Sequence, residues 1–80
     1  MSRLGWKPDS TFLNKLGSQL RSLRLDARMT QAELGRLLGT SGQYVSEVER
    51  GKVDPYYGLV MRWSATCRLR IPEALLRDMI

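Results

Sequence analysis

Four side chains that can bond a base edge, Gln43, Tyr44, Ser46 and Glu47, stand within the short stretch from Ser41 to Gly51. Their spacing is that of a helix. Val45 and Val48 lie three residues apart and share one edge, so the four polar side chains face outward. Ser41 can cap such a helix at its start and Gly51 can end it. A helix held along a narrow apolar edge, with donors and acceptors on its open face, suits insertion into a groove. The chemistry on offer is recognition by hydrogen bonding.

The element that must position this helix lies immediately before it. Thr30 can cap a helix beginning at Gln31, with Glu33 three residues after the cap as in a capping box. Leu34, Leu37 and Leu38 fall on one face of that helix, and Gly39 ends it. The stretch from Thr30 to Gly51 therefore predicts two short helices joined by a glycine-containing turn.

The rest of the inventory narrows the function by exclusion. One cysteine and no histidine rule out an intrachain disulfide and argue against a zinc site made by the protein alone. Neither a histidine base nor a Cys-His or Ser-His pairing is available, so the chain reads as a non-enzyme with no cofactor and no metal. At 80 residues, 42% hydrophobic and 26% charged, it has room for one ordinary domain with one core. A core of that size contributes only about 3 to 5 kcal/mol, to which an interface between two copies would add. There is no apolar run long enough for a membrane span and no secretory leader, so a cytoplasmic location is expected.

Net charge is +5 and the pI about 10.0, which favours a polyanionic partner. The charge is unevenly spread. Through Arg28 the bases Arg3, Lys7, Lys15, Arg21, Arg24 and Arg28 face only Asp9 and Asp26, for a net +4. From Met29 to Asp54 the bases Arg36, Arg50 and Lys52 are outnumbered by Glu33, Glu47, Glu49 and Asp54, for a net −1. The remainder is +2. The helix pair is therefore slightly acidic, and if it enters DNA the attraction must come from its flanks and from helix N-termini.

In chain order, residues 1–9 form an arm without periodicity. Arg3 and Lys7 can touch phosphate or an adjacent minor groove, or Leu4 and Trp6 can pack on the body. Residues 10–80 make a single domain. Its first helix starts at Ser10 or Thr11 and runs to about Ala27, with Phe12 or Leu13, Leu16, Leu20 and Leu23 inward. Pro55 opens a fourth helix whose inner face carries Val60, Trp63, Ser64 and Cys67, with Leu69 and Ile71 closing the core. Pro72 starts a fifth. Its Leu75, Leu76, Met79 and Ile80 exceed what a terminal helix on so small a body can bury, which suggests a two-fold dimer interface.

Taken together, these residues resemble the helix-turn-helix family of the lambda repressor and Cro, also called the xenobiotic-response-element family. The resemblance spans 16–76 and rests on LRSLR at 20–24, MTQAELGRLLGTS at 29–41, YVSEVERG at 44–51, Pro55 and IPEALL at 71–76. It implies an all-α, five-helix lambda-repressor-like DNA-binding domain with its helix-turn-helix at residues 30–50. In that family the arginine matched by Arg24 pairs with the glutamate matched by Glu49, a structural ion pair, and Arg24 can also approach a phosphate. Gln31 matches the backbone-phosphate clamp, Arg50 and Lys52 match phosphate contacts, and Gly42, Gln43, Tyr44, Ser46 and Glu47 match the base-contacting set. Gln43 suits an adenine edge, Glu47 cytosine N4, Ser46 either kind of partner, and Tyr44 a thymine methyl or a phosphate. Three residues depart from the family pattern: Gly42 at a readout position, Gly35 for the usual alanine, and Arg68 for the expected helix-ending glycine.

The resemblance implies a transcriptional regulator, a repressor or dual regulator, that binds a palindromic operator in double-stranded DNA as a homodimer. An antitoxin with a toxin or other regulator as protein partner would use the same operator chemistry. A pure protein-interaction module is the alternative of a different class.

Overall fold

The computed structural model describes residues 9–69, which form four α-helices and no strand. They are α1 (Ser10–Asp26), α2 (Gln31–Leu37), α3 (Gly42–Glu49) and α4 (Tyr57–Arg68). The fifth helix expected from Pro72 falls outside the described residues, as do Ile71 and most of the expected arm.

Local chemistry sets most of the helix boundaries. Asp9 caps α1 by accepting from the Phe12 amide at 2.9 Å, so the last residue assigned to the arm belongs to the helix start. Thr30 and Glu33 make both bonds of a capping box at α2, with Thr30 N–H donating to Glu33 Oε1 at 2.8 Å and Glu33 N–H to Thr30 Oγ1 at 3.0 Å. Ser41 caps α3 through the Tyr44 amide. The start of α4 differs from expectation. Pro55 is buried but does not open the helix; Tyr56 occupies the cap position without a side-chain cap bond, and the helix begins at Tyr57.

At their other ends α1, α2 and α3 share one kind of turn. The residue after each cap donates to the carbonyl three residues back, and the next residue donates five back. The bonds run from Arg28 to Leu25 and Met29 to Arg24, from Gly39 to Arg36 and Thr40 to Gly35, and from Gly51 to Val48 and Lys52 to Glu47. The first residue of each turn has positive φ, 59° at Arg28, 75° at Gly39 and 73° at Gly51. Glycine adopts that conformation freely, whereas an L side chain there costs about 1 to 2 kcal/mol.

The core consists of Leu20, Met29, Leu34, Leu38, Val45, Val48, Leu59, Trp63 and Cys67. Trp63 is fully buried at its centre, and its indole N–H donates to the Leu20 carbonyl at 3.0 Å, pinning α4 to α1. That bond matters because a buried indole donor without a partner would cost more than its packing area suggests. Several apolar positions sit elsewhere than their periodicity implied. Leu37 is 57% exposed and Leu69 is 76% exposed, since α2 buries Leu34 and Leu38 one turn apart and α4 ends before Leu69 can turn inward. Leu59 joins the inner face of α4, one turn before Trp63. Phe12 is exposed, and Leu13 and Leu16 are half-buried. Among the described residues no helix is long and apolar enough to cross a membrane.

Candidate nucleic-acid interface

The outward face of α3 is set by what its inner face must do. Val45 and Val48 are buried against the core, and Glu49 is 7% exposed. Gln43 is exposed, while Ser46 and Glu47 are half-buried, so all three keep solvent access. Tyr44 differs from the sequence reading, in which it faced outward with them. Its ring is half-buried and packs on the core cluster, because it sits one residue before Val45 on the side turned toward the body. Arg50 and Lys52, just past the helix, are exposed.

The two glycines that depart from the family pattern have a steric role here. A Cβ at Gly35 would lie 2.5 Å from the Ser41 carbonyl carbon, and one at Gly42 would lie 3.0 Å from Ala32 Cα. Gly42 thus belongs to the packing of α3 on the start of α2 as much as to the outer face. Any side chain placed there would emerge from a crowded root.

Glu49 is the hub that fixes α3 to α1. Its Oε2 accepts from Arg24 Nε at 2.6 Å, and its Oε1 accepts from Arg24 Nη2 at 3.0 Å, a two-pronged arrangement that fits guanidinium to carboxylate. Arg24 Nη1 donates to the Met29 carbonyl at 2.8 Å. Glu49 Oε1 also accepts from Gln31 Nε2 at 3.0 Å, which ties the first residue of α2 into the same network. Among the described residues no buried side-chain polar atom lacks a partner, which is the condition under which a buried pair is tolerated at all. Beside the pair, burial pushes the Cys67 thiol above its ordinary pKa, Arg24 opposing this and Glu49 reinforcing it. Cys67 itself is a buried member of the core.

This geometry corrects one site assignment. Arg24 is 6% exposed and its guanidinium is spent on Glu49 and Met29, so it does not reach out to a phosphate. The base available at that edge is Arg21, one turn earlier, whose side chain is 60% exposed and whose Nε lies 4.0 Å from Glu49 Oε1. Its three-residue spacing from Arg24 is visible in the sequence, where it entered only the charge count. Arg62 was missed in the same way. From α4 it donates to the Leu38 carbonyl at the end of α2 and to the Tyr56 hydroxyl. Arg3, Lys7, Leu75, Leu76, Met79 and Ile80 lie outside the described residues. Among the described residues no group of His, Cys, Asp or Glu side chains could hold a metal ion.

Two short helices at a tight turn, the second buried along two valines and open on its other side, define a helix-turn-helix unit. The model of the family described as helix-turn-helix domain matches residues 15–77. The chain belongs to that family and is a helix-turn-helix DNA-binding protein. No curated protein and no solved structure matches it significantly.

Proposed function

We propose that this chain is a sequence-specific transcriptional regulator of the lambda repressor and Cro type, a repressor or dual regulator without catalytic activity, which binds a palindromic operator as a homodimer. The observation that supports this best is the division of labour on α3, where Val45, Val48 and Glu49 are buried and Gln43, Ser46 and Glu47 keep solvent access. In this reading two copies of α3 enter successive major grooves about 34 to 36 Å apart. Gln43 bonds an adenine edge, Glu47 a cytosine amine, and Ser46 either kind of group. Tyr44 approaches with its outer edge and Gly42 with its backbone. Gln31, Arg21, Arg50 and Lys52 meet phosphates, and Arg3 and Lys7 extend that contact from the arm.

Footprinting on the promoter region of the protein's own gene tests the reading directly. A protected inverted repeat with strongly salt-dependent affinity is expected. The regulator reading would be abandoned if that region gave no protection and a selection from random duplexes returned no salt-sensitive binder.

Two narrower outcomes follow. Gln43→Ala is expected to relax preference at one base position by about 1 to 3 kcal/mol while leaving binding to random duplex nearly intact. Equal weakening on every sequence, measured by titration against a panel of single-base variants, would remove Gln43 from the reading set. Removal of residues 75–80 is expected to lower the dimer fraction in sedimentation equilibrium, and an unchanged mass would retire Leu75, Leu76, Met79 and Ile80 as the dimer contact.

A further inference from the structure

The three matching helix ends provide an internal comparison. Two of the left-handed positions are glycine, as the backbone favours, and the third is Arg28, which among the described residues is the only non-glycine residue with positive φ. The hydrogen bonds of the three turns are alike, so the arginine is not needed to make the turn. Nor is it held by its surroundings. Its side chain is exposed and forms no hydrogen bond or ion pair within the described residues. A strained residue with no folding role points to a role outside the fold.

Position indicates what that role is. The next residue, Met29, is 3% exposed and anchors the turn in the core, whereas the Arg28 side chain is exposed. Gln31 follows three residues on, so the two Cα atoms are within about 10 Å of each other. Arg24, the neighbouring base, has its charge answered by Glu49. Arg28 is thus the positive charge at the end of α1, adjoining the start of α2, that no carboxylate among the described residues answers.

We propose that Arg28 contacts the DNA backbone, and that a guanidinium is kept at this left-handed position for its charge at the expense of folding stability. The inference rests on the DNA-binding reading above and adds a residue to it.

The test compares Arg28→Gly, Arg28→Lys and Lys15→Gln with the parent chain by thermal unfolding and by titration of a random-sequence duplex at several salt concentrations. Lys15 serves as the control for bulk charge, since it stands about 16 Å up α1 from its end. Arg28→Gly is expected to raise Tm by about 4 °C or more and to lower the slope of log K against log salt by about 0.9 per bound subunit. Arg28→Lys should keep the parent slope, and Lys15→Gln should change it less than Arg28→Gly does. An unchanged slope in Arg28→Gly, an equal change in Lys15→Gln, or a lowered Tm in Arg28→Gly each overturns the proposal. If the parent chain shows no salt-dependent binding to any duplex, the DNA-binding reading falls, and this inference with it; a parent that binds and an Arg28→Gly variant that binds identically removes only the inference.

Discussion

Gly17→Ala is expected to destabilise the domain by about 3 kcal/mol, a large share of what a core of this size supplies. The direction is informative because the local effect runs the other way. In the middle of α1 alanine is favoured over glycine by about 1 kcal/mol. Against that, a Cβ on Gly17 would lie 2.6 Å from the Glu49 carbonyl oxygen and would also meet the Val48 carbonyl oxygen. Both are backbone atoms at the end of α3, so neither can rotate aside. The helices must separate, and with them the buried seat of Val48 and Glu49. Urea denaturation of the two proteins decides the sign. A Gly17→Ala variant more stable than its parent would mean that α1 and α3 do not approach this closely.

Arg24→Ala and Glu49→Ala are each expected to cost about 3 to 5 kcal/mol, because each strands the other charge in the core. The double substitution should cost much less than the sum of the two. An apolar replacement of both, Arg24→Met with Glu49→Leu, should restore most of the stability. The function should not return with it. Glu49 also holds Gln31 Nε2, so the apolar pair would fold while releasing the residue proposed to clamp phosphate. We expect stability near that of the parent and weaker specific binding, measured by denaturation and operator titration on one preparation. Additive losses in the double-mutant cycle would show that the pair is not a coupled unit.

Much of the fold was legible because its signals are local. The Thr30 and Glu33 capping box, the Ser41 cap and the glycines at 39 and 51 act over a few residues, and each is where the helix boundaries fall. Positions that depend on a partner element were harder to read. A glycine inside a helix ordinarily weakens it, yet the missing side chain of Gly17 admits the backbone of α3. Leu69 shares the composition of a core residue, but it falls just past the last residue of α4, whose inner face runs through Leu59, Trp63 and Cys67. Tyr44 carries a polar tip and an apolar body, so its type alone does not say which is buried. The Arg24 and Glu49 pairing followed from the family resemblance rather than from charge spacing.

The way α3 is seated has a consequence for how this protein can change. Its attachment uses Val45, Val48, the Glu49 carboxylate and the backbone facing Gly17. Gln43, Ser46 and Glu47 contribute no side-chain bond to that attachment among the described residues. Those three positions can therefore be rewritten while the helix stays where it is, so that, with base reading by them as proposed, target preference would drift or be reprogrammed one residue at a time without first passing through an unfolded protein.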